Sequence, residues 1–422
     1  TEENNKQKLL FQKEIFPKTP PPQEFNYPDS FPKMVKTSIY SADETKKGKL
    51  FKAFWGKHYR KYYSTEIEAP TVSLDTLFGG LTPIRRGGGH QSRSVRLVDK
   101  DGKEYIMRAM RKSATQYFQE VAFKDQYIES QFDDTYTEDL LLDIYTMAHP
   151  YASFANATLA NAVDVFHTNP KLYYIPKQNA LKKYNEDYGD ELYMIEERPA
   201  KGHEEVNSFG NTNTIINTTD FLQKLRKSDD YILDESSYIR ARLFDMAIGD
   251  WDRHVDQWRW AEFKKGKKTI FKPVPRDRDQ AFSSADGFML GFASRITRDL
   301  AFMQVYKENM RNVKYFNAAG FPLDITLLSE SELVDWLVEA KHIQDNLTDE
   351  VINSAFQNLP SEVQDETVEK IKKIFKGRIK ILHDIAEEYY NNIHKNAIVK
   401  GNDKDNWFDI ERKRGGETVI KI

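Results

Sequence analysis

The sequence predicts an α+β chain of two lobes, a small β-rich N-lobe followed by a mostly helical C-lobe. Three observations carry that expectation. Short strand-like runs separated by turn residues fill Leu77 to Glu197, with helical stretches between them. Ile239, Leu243, Met246 and Ala247 then recur at helical spacing. Beyond residue 290 nearly every segment reads helical, and Val368, Ile371, Phe375, Ile379, Leu382 and Ile385 form the clearest stripe. A chain of 422 residues is long enough for two packed lobes.

The elements follow in order. Residues 1–45 are polar and punctuated by Pro17, Pro20, Pro21, Pro22, Pro28 and Pro32, which predicts an extended arm or linker. Residues 46–76 hold a basic aromatic stretch with Phe51, Phe54, Trp55, Tyr59, Tyr62 and Tyr63. Such a helical extension can lie on a membrane surface or nucleic acid. Docking of its aromatics onto the next domain is the stronger reading, because the net charge of -3 draws the chain to neither.

The N-lobe is expected over 77–198. Leu81 to Arg86 leads into Gly87, Gly88 and Gly89, and Asp99-Lys100-Asp101-Gly102 marks a hairpin between Ser94–Val98 and Glu104–Ala109. Ser113 is the candidate N-cap of a helix carrying Phe118, Val121, Ala122 and Asp125, and a second helical stretch starts at Thr137. The strands Leu172–Ile175 and Leu192–Glu196 complete this lobe. The C-lobe spans 199–400, and residues 401–422 alternate as the start of a further β-segment.

Composition excludes several chemistries. There is no cysteine, so disulfides, thiolate nucleophiles and cysteine-bound zinc are absent. No apolar run approaches the roughly 20 residues of a membrane helix. The nine histidines are scattered, with no metal-type pair on one helical face.

The chemistry concentrates in residues 249–282. Gly249-Asp250-Trp251-Asp252-Arg253-His254-Val255-Asp256-Gln257 follows a helix and precedes a strand, Trp258–Phe263. A turn through Lys264–Lys268 leads to a second strand, Thr269–Val274, and then to Arg276-Asp277-Arg278-Asp279-Gln280. A hairpin brings its ends together, so carboxylates 25 to 27 positions apart converge. Phosphoryl transfer needs that arrangement: one carboxylate orients the attacking hydroxyl, and others hold magnesium against the phosphates. Taken singly, each cluster reads more readily as helix-end salt bridges or a solvated charge run. Their combination with a hairpin favours catalysis.

Asp252-Arg253-His254 resembles the catalytic loop of the atypical kinases, including phosphatidylinositol kinases, HipA-type toxin kinases, spore-coat CotH kinases and secreted Golgi kinases. Their motif Asp-Arg-His-x-x-Asn is followed, after a short hairpin, by an acidic metal-binding motif. The resemblance implies a two-lobed atypical protein-kinase-like fold and an ATP- and metal-dependent phosphotransferase using Mg2+ or Mn2+. It implies Asp252 as the catalytic residue, His254 as the prop of its loop, and Asp277 or Asp279 as the metal ligand. Gln257 stands where these families have Asn, so either Gln257 or Asp256 supplies the second ligand. Gly87, Gly88 and Gly89 are candidate phosphate-binding backbone; a tight turn is the equal alternative. Arg108 stands at the position of the phosphate-binding lysine, with Arg111 and Lys112 behind it and Glu120 as its expected ion-pair partner. Leu192–Glu197, including Glu196, resembles the inter-lobe linker that meets adenine.

The strings GGLTPIRRGGGHQSRSVRL, FDDTYTEDLLLD, ELYMIEERPA, IGDWDRHVDQWRW and PVPRDRDQAF resemble one segment of large exported proteins of Bacteroidetes. There the segment lies beside a calcineurin-like metallophosphoesterase domain and outer-membrane β-structure. That resemblance implies a bacterial envelope location and association with the outer membrane through other domains. Gly249-Asp250-x-Asp252-Arg253 also matches part of a metallophosphoesterase signature. That fold needs an early Asp-x-His on a strand and a later Gly-Asn-His, which this chain lacks. The other rival is a kinase-like binding or scaffold module without catalysis, suggested by Arg108 and Gln257. The expected partner is a nucleotide; no nucleic acid is expected, and the acceptor is not legible.

Overall fold

A computed structural model describes residues 26–28, 30–87, 92–113, 136–396, 398–399, 401, 403 and 407–421. Its N-terminal half is built on one five-stranded antiparallel sheet. The strands are β3 (Thr82–Arg86), β4 (Ser92–Val98), β5 (Glu104–Lys112), β6 (Lys171–Ile175) and β7 (Glu191–Glu197), in spatial order β3-β4-β5-β7-β6. Alternation assigns the two faces. Val95, Leu97, Tyr105, Met107, Ala109, Tyr193 and Ile195 bury one face in a core with Leu74, Leu81, Ile175 and Leu181. The register pairs Arg96 with Ile106 and Ile106 with Glu196, and pairs Arg108 with Met194. The opposite face therefore carries Arg96, Glu104, Arg108 and Glu196 in one patch.

The second half is mostly helical, as the sequence predicts, around a small sheet. That sheet has the order β8-β10-β11-β9, with β8 at Ile215–Asn217, β9 at Tyr231–Leu233, β10 at Trp258–Lys265 and β11 at Lys268–Pro275. The β10–β11 hairpin closes on Gly266 and Lys267, Gly266 adopting φ 64°. The Glu235–Ile248 helix starts on Asp234, whose side chain accepts from the Ser237 amide at 3.0 Å. From Tyr238 to Ile248 it buries ten residues, including Arg242 and Asp245, so its interior is not merely an apolar stripe. The predicted C-terminal stripe is buried but divides between two helices, Glu366–Lys380 and Leu382–Ile393.

The basic aromatic stretch forms two short helices, Lys49–Trp55 and Arg60–Ser64, separated at Gly56. Gly56 has φ 101°, and a Cβ there would overlap the Asp286 carbonyl oxygen, so the chain breaks where it crosses that backbone. The docking reading fits the second helix. Tyr59, Tyr62 and Tyr63 are buried, and Tyr59 Oη donates to the Phe282 carbonyl at 2.8 Å. Tyr62 Oη donates to Asp365 Oδ1 at 2.7 Å, and Tyr63 Oη to the Ala148 carbonyl at 3.0 Å. Within the expected arm, Met34–Thr37 (β1) pairs with Ile67–Pro70 (β2), so both segments belong to the folded body. Near the C-terminus, Asp409–Arg412 and Thr418–Lys421 pair as an exposed hairpin. Among the described residues, no helix is long and apolar enough to cross a membrane.

Candidate active site

The hairpin joins the two acidic clusters in the way its spacing predicts. Trp258 pairs with Pro275, and the Arg276 amide donates to the Gln257 carbonyl at 2.9 Å. Arg253 then locks the junction from below. Its Nη1 donates to the Arg276 carbonyl at 2.7 Å and to Asp250 Oδ2 at 3.1 Å, and its Nη2 donates to the Gln257 carbonyl at 3.2 Å. The Glu235–Ile248 helix ends at Gly249 with φ 75°, which turns the chain into the loop. A Cβ on Gly249 would stand 2.8 Å from the Tyr306 ring, so Gly249→Ala is expected to destabilise by about 1–2 kcal/mol from its backbone conformation alone. Equal denaturation midpoints for variant and parent would refute that.

Beneath the loop lies a closed network of three arginines and three aspartates. Asp245 has Arg242 Nη1 at 3.2 Å, Arg253 Nε at 3.3 Å and Arg278 Nε at 2.9 Å. Asp324 takes Arg242 Nε at 2.9 Å and the hydroxyls of Tyr238 and Tyr389 at 2.7 and 2.5 Å. Asp250 pairs with Arg253 and accepts the Asp252 amide at 3.3 Å. All are buried, and each charge has a partner.

Above this base, Asp252 sits near Asp277 and Asp279. Burial first, then the charges of Asp279 and Asp277, push its carboxyl up to about 6. His254 caps the 255–257 turn, its Nδ1 accepting the Asp256 amide at 3.3 Å. Asp256 is exposed, whereas Gln257 is buried and its Nε2 reaches Asp277 Oδ2 at 3.5 Å. The structure thus brings Gln257, not Asp256, to the second cluster. Asp277 adopts φ 56°, a left-handed conformation uncommon for a non-glycine residue. Among the described residues, two shielded oxygens here have no hydrogen-bond partner, Gln257 Oε1 and Asp277 Oδ1. A buried acceptor left unpaired is costly, and each of these oxygens is of the hard type that a divalent cation takes, so the donor chemistry fits one. Among the described residues, no three His, Asp or Glu side chains form a metal site alone. Magnesium suits such a place, because it is commonly held by one or two carboxylates together with phosphate oxygens.

The sheet reaches down to the same carboxylates. Arg108 Nη1 donates to Asp277 Oδ2 at 2.6 Å, and Lys112 Nζ to Asp279 Oδ2 at 2.6 Å. Despite burial, Arg108, Lys112 and Arg276 hold Asp277 down to about 2, so it stays ionised. Arg108 therefore meets Asp277 of the hairpin; Glu120, Gly88 and Gly89 lie outside the described residues, as does the helix expected after Ser113. Strand β5 extends to Lys112, which makes that lysine a second site cation, while Arg111 turns away to Glu44.

Two expectations are corrected. Gly87 is not a free phosphate-binding amide: its N–H donates to the Ser94 carbonyl at 2.7 Å, and a Cβ there would overlap Ser94 Oγ. Its missing side chain serves strand packing. Glu196 does not lie in a linker. Strand β7 pairs with β5 out to Glu197 and with β6 only as far as Ile195, so Glu196 stands within the sheet opposite Ile106. Glu196 is instead buried beside Arg108, and burial lifts its carboxyl to about 7.

A second group of arginines lies beside Arg108. Arg198 Nη1 and Arg96 Nη1 share one oxygen, Glu104 Oε2, at 3.1 and 3.5 Å. Arg259 Nη1 and Arg276 Nη2 share the Asp256 carbonyl, each at 3.1 Å. Burial first, then Arg198, lowers the Arg259 guanidinium; burial, Arg259, Arg108 and Arg198 bring Arg276 down to about 9.

Comparison with family models finds no match, and comparison with curated proteins finds none. Several solved structures are similar. The proinflammatory kinase CtkA of Helicobacter pylori is 12% identical, with 73% of this chain and 96% of that chain covered, at a TM-score of 0.37. HipA of Shewanella oneidensis MR-1, in a complex with HipB and operator DNA, is 9% identical over 75% of this chain and 68% of its own, at 0.30. The Rio2 kinase of Chaetomium thermophilum is 13% identical over 68% and 79%, at 0.25. The chemistry rests on the residues above, not on these remote likenesses.

Sequence motifs include Asp250 and Arg253 without assigning either a structural role, and they leave out Asp245. Their i, i+3 and i, i+5 spacing around Gly249 was visible, but burial turns such charges into a scaffold, and spacing does not report burial.

Proposed function

We propose that the chain is an ATP- and divalent-metal-dependent phosphotransferase of the atypical kinase type, with Mg2+ or Mn2+ as its metal. One observation carries the reading: Gln257 Oε1 and Asp277 Oδ1, shielded and without partners among the described residues, beside the raised carboxyl of Asp252. In this reading Asp252 orients the acceptor hydroxyl and takes its proton, a task suited to a group titrating near the working pH. Gln257 and Asp277 hold the metal, which supplies neutralising charge to the phosphates. Arg108 and Lys112 leave Asp277 and Asp279 to meet phosphate oxygens, and Arg253 keeps the two clusters in register.

Thermal melting tests it. ATP with Mg2+ or Mn2+ is expected to raise Tm, and Asp277→Asn to remove that rise while Asp279→Asn retains it. Absence of a shift with either metal would reject the reading.

A non-catalytic binding module is the second reading. It is favoured by the ion pairs that already neutralise Asp277 and Asp279. Nucleotide-dependent stabilisation with no phosphate transferred or released would support it.

A further inference from the structure

The arginine group beside the carboxylates is poorly explained as scaffolding. Four guanidinium groups come together there from both lobes, Arg96 and Arg198 from the sheet and Arg259 and Arg276 from the hairpin. Arg96 and Arg198 share one carboxylate oxygen, whereas among the described residues Arg259 and Arg276 meet only uncharged carbonyls, both at Asp256 and Arg259 also at Trp258 at 2.6 Å. The neighbouring carboxylates are Glu104, which serves two arginines, and the exposed Asp256. Asp277 is already matched by Arg108. Nε of Arg198 and Nε of Arg276 are shielded and have no hydrogen-bond partner among the described residues. The contrast with the network below the loop is direct, since three arginines there meet three aspartates. A fold that balances its buried charges in one place leaves an excess of about two positive charges in the next.

We propose that this arginine group takes a ligand bearing a second anionic phosphate group, seated on Arg96, Arg198, Arg259 and Arg276 and distinct from the phosphate met at Gln257 and Asp277. The proposal deepens the phosphotransferase reading and rests on it for the first phosphate. Guanidinium groups match phosphate oxygens in paired geometry, and several together select a group with two or more negative charges. Such a group is either the far end of the nucleotide's own phosphate chain or a phosphate ester already present on the acceptor. Because the cluster draws two arginines from each lobe, filling it also holds the lobes together.

The test uses inorganic tripolyphosphate with EDTA, at ionic strength matched with KCl. In the parent protein a saturating concentration is expected to raise Tm by about 3–5 °C. The rise should be lost in Arg259→Gln/Arg276→Gln and in Arg96→Gln/Arg198→Gln, one pair from each lobe. Without ligand Arg259→Gln/Arg276→Gln should melt no lower than the parent, since it loses mutual repulsion and only carbonyl partners, whereas Arg96→Gln/Arg198→Gln also gives up the Glu104 ion pairs and is compared with its own ligand-free Tm. Asp277→Asn should keep the tripolyphosphate shift while losing the ATP–metal shift, which separates this site from the metal-held one. If ATP–Mg2+ stabilisation also falls in the double variants, the second group belongs to the donor; if it is unchanged, it belongs to the acceptor. No tripolyphosphate shift in the parent, or a shift undiminished in both double variants, overturns the proposal. Loss of the ATP–metal shift in the parent alone would instead reject the phosphotransferase reading and leave an anion site.

Discussion

Asp252→Asn is expected to lower the rate of phosphoryl transfer by about 10²–10⁴-fold, the usual contribution of a positioned general base. At pH 7.5 the same change is expected to raise Tm. Burial and the charges of Asp279 and Asp277 lift the folded-state value of Asp252 from the ordinary 3.8 to about 6. Between those values the native state binds more protons than the unfolded chain, so stability falls as pH rises from about 4 to 6. Above that window the ionised carboxylate costs about 3 kcal/mol, which asparagine does not carry. Melting the metal-free parent and variant at pH 4.5 and 7.5 should show the variant's advantage growing with pH. A variant with full transfer activity removes Asp252 from the mechanism, and a Tm difference independent of pH removes the electrostatic explanation. The expectation is an active site that gives up stability for a correctly charged base.

The largest stability effect is expected at Asp245. Its carboxylate lies within 3.3 Å of Arg242, Arg253 and Arg278, and it is fully buried. Asp245→Ala leaves three buried cations with two aspartates among them, and is expected to destabilise by about 3–5 kcal/mol. Asp245→Asn keeps the acceptor oxygen but not the charge and should cost less. Urea unfolding of both variants measures this, and a loss under 1 kcal/mol for the alanine variant would show that the arginines find water or other partners. A weaker form of the damage should reach the catalytic loop, because Arg253 ties Asp250 to the Gln257 and Arg276 carbonyls.

Much of the site was legible because its logic is local. The two strands around Gly266 announce themselves by turn and alternation, and a hairpin forces its ends together whatever surrounds it. That is why Asp252 and Asp277 are brought to one place across 25 positions. The order of strands and helices was legible for the same reason. Gly87 and Glu196 were misread because their roles depend on neighbours far along the chain. A glycine triplet looks the same whether its amide faces phosphate or Ser94. A strand ending in Glu196-Glu197 looks like a linker until β5 pairs along it as far as Glu197.

The sequence by itself determined the hairpin, the residues at its ends, the helix that feeds it and the division into a β-rich and a helical lobe. These follow from period, turn chemistry and chain order. Only the tertiary structure set Gln257 near Asp277 and left Asp256 exposed, and found Lys112 on Asp279 and the arginines of Asp245. It also set Arg96 and Arg198 near Arg259 and Arg276. Those are matters of burial and of contacts between distant segments, and a charged residue reads the same in sequence whether it is solvated, paired or grouped for an anion.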